Sequence, residues 1–146
     1  MIRLDLAARA YLKWGPDEKP VPFLHQGRDP NVGIDCVGLL VLAARGCGLD
    51  ELTAHDISDY ARDPARGELE ARLRKAFGAP VRDLSPGCVV SIEFHKPATR
   101  HVAIVGEHPH GLSLIHTYKS PAQVIEHGLD DKWRKRITGI YRMEAV

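Results

Sequence analysis

The sequence predicts an α+β domain, and three observations predict it. Helical periodicity is confined to the first half of the chain. The second half changes to the alternating period of half-buried strands. Within the first half lies a nearly uncharged apolar run, residues 33–44, long enough for a central helix on which a sheet can pack. Helices first and a meander of antiparallel strands after make an α+β arrangement. With 146 residues the chain reads as one domain, 1–146, large enough to bury a core.

Residues 2–14 form the first expected helix, with Ile2, Leu6 and Ala10 on one stripe and Ala7, Tyr11 and Trp14 beside it. Gly15-Pro16 stops it. Residues 20–30 are loop by their prolines and glycine, and they lead straight to the start of the central helix. That helix opens at Asp35, whose carboxylate can accept hydrogen bonds from free N–H groups of the first turn. Cys36, Leu39, Leu40, Ala43, Ala44 and Cys47 share one face, while Val37, Val41 and Leu42 make the other side apolar too; such a helix is buried.

Gly46 and Gly48 end the helix, and residues 49–66 read as irregular with Ile57 and Tyr60 as packing anchors. A second amphipathic helix is expected over 67–77, with Leu69, Leu73, Ala76 and Phe77 inward. Strands follow at 89–94, after the turn Ser85-Pro86-Gly87, and at 101–105 and 112–118 around a hairpin-sized loop at 107–111. Residues 123–126 and 139–142 add two more, with a helical turn in 130–136 between them.

Composition excludes several classes. Hydrophobic content of 44% and charged content of 27% are those of an ordinary globular chain, and a formal charge of +1 provides no global field for nucleic acid or an acidic membrane. No run reaches transmembrane length, and the N-terminus lacks a basic-then-apolar signal pattern. Three cysteines, Cys36, Cys47 and Cys88, cannot all pair and match no zinc ribbon, which favours synthesis in a reducing compartment.

The chemistry-bearing pattern joins Cys36 to two histidines. A thiol in the first turn of a buried helix meets unpaired N–H groups and the positive end of the dipole, which favour thiolate; a small core cysteine is the alternative reading. His101 opens one strand on the face of Ala103 and Val105, and His116 lies in the next on the face of Leu112 and Leu114. Paired as a hairpin, the two strands bring positions near 101 and 116 opposite one another. Taken singly, each histidine reads as a structural residue. Jointly, a histidine-bearing face packed on a helix that starts with Asp-Cys reads as a nucleophile, a base and an orienting group. His108 and His110 could join Cys36 and His101 around zinc, but the spacing matches no common zinc motif, so no metal and no cofactor are expected. Arg134-Lys135-Arg136 reads as a solvated face, and Cys47 and Cys88 as buried and unreactive.

These residues resemble the NlpC/P60 cysteine peptidases, most closely the short phage-type branch that includes cell wall peptidases of tail modules and gene transfer agents. His25-Gln26-Gly27-Arg28 with Gly33-Ile34-Asp35-Cys36-Val37-Gly38-Leu39 is similar to the family's approach loop and Asp-Cys-Ser-Gly core, with Val37 where Ser is usual. Pro86-Gly87-Cys88 resembles its Pro-Gly-Asp strand opening, with Cys88 for Asp. His101-Val102-Ala103-Ile104-Val105 resembles the catalytic-histidine strand, and Ile115-His116-Thr117-Tyr118 the strand of the third polar residue. The tail, Val124-Ile125-Glu126-His127 through Trp133 to Tyr141-Arg142, is similar to the phage branch.

The resemblance implies a papain-like fold and hydrolysis of bonds in the stem peptides of peptidoglycan. It implies Cys36 as nucleophile, His101 as general base and acid, and His116 as orienting group. Phe23, Gln26 and Asp35 would belong to the substrate-binding or oxyanion region, with the Cys36 N–H in the oxyanion hole; Phe23 lacks the hydroxyl of the tyrosine usual there. The implied partners are peptidoglycan peptides and phage tail or baseplate proteins, with neither nucleic acid nor membrane. The implied site of action is the cell wall, after cytoplasmic synthesis without a signal peptide and delivery by a tail particle. A structural tail module with weak or absent catalysis is the competing expectation.

Overall fold

The computed structural model describes residues 3–48, 68–93, 100–119 and 121–142. Within them the chain runs α1 (Leu4–Arg9) with a 3-10 turn (Ala10–Leu12), β1 (Arg28–Asp29), β2 (Gly33–Ile34), α2 (Cys36–Gly46), α3 (Glu68–Phe77), β3 (Val89–Glu93), β4 (Arg100–His108), β5 (Gly111–Lys119), β6 (Ala122–Gly128), α4 (Asp131–Arg134) and β7 (Ile137–Tyr141). β3 to β7 form one antiparallel sheet in the order β6-β5-β4-β3-β7. The architecture is α+β. The expected anchors Ile57 and Tyr60 lie outside the described residues, as does Ile2.

Each boundary has a local cause. The first helix is shorter than its apolar stripe implied. It tightens to 3-10 geometry at Ala10, and Val21 N–H returns to the Tyr11 carbonyl. α2 begins where Asp35 accepts the Gly38 N–H at 2.8 Å, and Asp130 caps α4 in the same way through Trp133 N–H at 3.0 Å. β4 and β5 outrun the expected strands and leave only Pro109-His110 as their turn, because pairing persists to His108↔Gly111.

The sheet has two apolar faces. On one, Val89, Val102, Ile104, Ile115 and Val124 pack with Leu39, Leu40, Ala43 and Ala44 of α2, Leu4, Ala7 and Ala8 of α1, and Leu73 of α3. On the other, Val90, Ile92, Ala103, Val105 and Leu114 pack beneath Leu129, with Trp133 and Leu84 at the margin. A polar strut ties the layers together. Arg9 of α1 meets Glu126 of β6 at 2.8 Å and donates to the Glu107 carbonyl at 2.6 Å, while Ser113 donates to Glu126 at 2.6 Å. Gly106 leaves the room for this strut, since a Cβ there would stand 2.6 Å from the Ser113 hydroxyl. No helix among the described residues is long and apolar enough to cross a membrane.

Candidate active site

The site forms where two strands part. The β4–β5 ladder runs from His108↔Gly111 to Ile104↔Ile115, whereas β4 from Ile104 to Arg100 pairs with β3, and β5 from Ser113 to Lys119 pairs with β6. Successive residues of an antiparallel strand point their N–H groups to opposite sides. Val105 N–H goes to Cys88 of the β3 segment, at 2.8 Å, so the Val102 N–H points toward β5, beyond the last paired residues. There it meets the sulfur of Cys36. The first turn of α2 therefore delivers its thiol to the plane of the sheet, beside the residue that follows His101.

The approach loop is fixed by Asp35. One carboxylate oxygen takes the Gly38 N–H and the Arg28 guanidinium at 3.0 Å, and the other takes the Gln26 N–H at 2.9 Å. Gln26 holds a left-handed backbone (φ 60°) to reach it. Gly38 must be glycine, because a Cβ would strike the Gly27 carbonyl. Of the three residues expected to bind substrate or the oxyanion, Asp35 is thus a buried joint of loop and helix. Gln26 and Phe23 are half-buried on the same loop, Phe23 donating its N–H to the Ala122 carbonyl at 2.8 Å.

The electrostatics of Cys36 differ from the sequence expectation. Burial pushes the thiol up to about 12, the neighbouring Asp35 carboxylate adds to this, and the N–H groups of Val102, Val37 and Cys36 itself only partly oppose it. The residue keeps some exposed surface, but dense packing around its sulfur outweighs the helix terminus, so the resting form is the neutral thiol. Cys47 and Cys88 are buried, Cys88 with its sulfur 3.1 Å from the Ser85 hydroxyl.

The histidines meet, as the hairpin count implied, and they do so on a diagonal. Extending the register sets His101 across from Tyr118 and His116 across from Ala103, so the pair is diagonal. Nε2 of His101 lies 2.7 Å from Nδ1 of His116, with ring centroids 4.8 Å apart and nearly perpendicular. Their face is not the one expected. Val102 and Ile104 point to α2, and Ala103 and Val105 to the opposite core, so alternation puts His101 and His116 on the side away from the helix. Where the strands part, the cysteine meets the backbone of Val102, the residue after His101.

A third histidine completes the row, and the sequence reading gave it no role. Nε2 of His116 lies 2.8 Å from Nε2 of His127 on β6, and Nδ1 of His127 lies 3.0 Å from the Gly128 carbonyl. The signal was available, because a strand pairing residue 116 with residue 125 puts residue 127 on the same face, one diagonal step away. Trp133 lies against both rings, 5.5 Å from His116 and 4.5 Å from His127. His116 is fully buried and is held well below the usual imidazole value by burial, then by His101 and His127 as like charges. It is neutral at ordinary pH. Among the described residues no three His, Cys, Asp or Glu side chains converge as metal ligands, and the short N···N distances are those of hydrogen bonds.

The sequence matches no protein-family model and no curated protein.

Proposed function

We propose that this chain is a papain-like cysteine peptidase of the NlpC/P60 kind that hydrolyses peptide or amide bonds in the stem peptides of peptidoglycan, carried by a phage-like tail. One observation carries the chemistry. A thiol at a helix start sits on the Val102 N–H, next in the chain to a histidine hydrogen-bonded at 2.7 Å to a second, buried histidine. A nucleophile, a base and a group that orients the base are the parts acyl transfer needs. The substrate and the carrier rest on the motif resemblance: Asp35-Cys36-Val37-Gly38, His101-Val102-Ala103-Ile104 and the tail from Val124 to Tyr141.

In this reading His101 takes the Cys36 proton as the sulfur attacks the scissile carbonyl. With the thiol held neutral, that transfer accompanies attack, and His101 acts as a true general base. The Cys36 N–H stabilises the oxyanion. The tetrahedral intermediate collapses, the leaving amine takes the proton from His101, and the acyl group remains as a thioester. Water, deprotonated by His101, attacks the thioester, and the carboxylate product leaves with the thiol restored.

The competing reading, a tail module with little catalysis, is favoured by the upward displacement of the Cys36 thiol and by Phe23, which offers no hydroxyl. Incubation with purified peptidoglycan, with released fragments identified by mass, separates the two. Defined peptide fragments from the native chain and none from Cys36→Ala are expected of the peptidase. The absence of fragments from both selects the tail module.

A further inference from the structure

We propose that His127 is a positioning residue that sets the tautomers of His116 and His101, making a three-histidine row that ends on the Gly128 carbonyl. The inference rests on the peptidase reading for its catalytic meaning, and on hydrogen-bond geometry for its structure.

A carbonyl oxygen can only accept, so the 3.0 Å contact of Gly128 with Nδ1 of His127 places a proton on that nitrogen. A neutral His127 then has a bare Nε2, which can only accept. The 2.8 Å contact with Nε2 of His116 therefore takes its proton from His116. His116 is fully buried and carries one proton, so its Nδ1 is left bare. The 2.7 Å contact with Nε2 of His101 must then be filled by a proton on His101. A neutral His101 is left with Nδ1 as its bare, basic atom. The Gly128 carbonyl thus propagates one hydrogen-bond direction through three rings, and the base of the reaction is the unprotonated Nδ1 of His101.

Without an acceptor at position 127, the buried His116 would leave its Nε2 proton unsatisfied. Moving that proton to Nδ1 would satisfy it at the expense of His101, whose Nε2 would have to accept and whose proton would shift to Nδ1. Such an enzyme has all its catalytic residues and its base in the wrong form. Gln at 127 can offer a carboxamide oxygen near where Nε2 of His127 lies; Leu fills the space and offers nothing. The Thr117 backbone also hydrogen-bonds the His116 ring and is the competing candidate for setting its tautomer.

The test labels histidine nitrogens in the full chain and reads long-range proton–nitrogen correlations, which distinguish the two neutral tautomers. Native protein should show His116 and His101 protonated at Nε2 and His127 at Nδ1. His127→Leu should switch His116 and His101 to the Nδ1 form and lower kcat on peptidoglycan fragments on the order of a hundredfold with KM little changed, as expected for a lost support of an active histidine. His127→Gln should restore the native tautomers and most of kcat. A native His116 protonated at Nδ1 would overturn the inference, and so would a folded Leu variant with unchanged tautomers, which would assign the role to Thr117. Should the Leu variant not fold, the native and Gln spectra decide. The spectra need no turnover, so a chain inactive on peptidoglycan sinks the peptidase reading and leaves this inference to be judged on tautomers alone.

Discussion

The Cys36 sulfur and the Val102 backbone N–H meet where β4 has left β5, so the thiol occupies the place of a strand partner. Packing around the sulfur leaves it poorly solvated there. That burial outweighs both the helix N-terminus and the Val102 N–H, and keeps the thiol from becoming a thiolate.

Alkylation should therefore be slow at neutral pH. A free thiol near 8.5 is a few per cent ionised at pH 7, whereas one pushed up to about 12 is ionised about three-thousandfold less. The rate of Cys36 modification by iodoacetamide, followed by mass, should keep rising about tenfold per pH unit past pH 9. A plateau reached below pH 8 would mean that His101 holds a thiolate after all. Cys47→Ala and Cys88→Ala should leave both rate and activity intact, since both side chains are buried.

His101 and His116 should prove unequal. His101→Gln removes the group that accepts the thiol proton and should abolish turnover. His116→Gln or His116→Asn retains an oxygen that can accept the His101 N–H and should keep measurable turnover. His116→Ala should cost on the order of a hundredfold in kcat, ~3 kcal/mol of transition-state stabilisation. Equal loss in folded His101→Gln and His116→Gln would reverse their roles.

Acid should destabilise the fold in two stages. The folded His116 lies well below its unfolded value, so its contribution is complete above about pH 6.5 and is lost as pH falls through the folded value. Burial alone would raise Glu126, but the Arg9 and Ser113 hydrogen bonds and the charges of Arg9 and His108 bring it below the usual carboxylate value. Its contribution is present above about pH 4.3 and is lost at lower pH. Chemical denaturation against pH should show both steps. The upper one should vanish in His116→Asn and the lower one in Glu126→Gln, which should itself be less stable at pH 7 because Arg9 loses its charge partner.

The joint between loop and helix should be intolerant of small changes. Gly38→Ala drives a methyl group into the Gly27 carbonyl and should cost about 1–3 kcal/mol, typical of overpacking. Asp35→Ala removes the cap, at about 1 kcal/mol, and also the acceptor of Arg28 and of the Gln26 N–H, so the total should exceed the cap alone. Thermal melts measure both, and a Gly38→Ala variant that melts like the native chain would refute the close approach.

The sequence by itself determined the element types, and each for a local reason. Asp35 can cap α2 only from the position before Cys36, and the apolar run behind it can only be buried. Alternation in His101–Val105 and Leu112–Tyr118 made strands and put His101 and His116 on a common face. What only the tertiary structure decided is how the faces and strands meet. No local pattern says which face of β4 the helix covers, so the histidines lie opposite α2 and not beneath it. None says that β4 exchanges β5 for β3 near Ile104, which opens the place the sulfur fills. Dense packing around that sulfur reversed the ionisation expected from the helix terminus, because desolvation depends on neighbours distant in sequence whereas a dipole depends on one helix. His127 joined the site for the same reason: its partner is eleven residues away in the chain and one diagonal step away in the sheet.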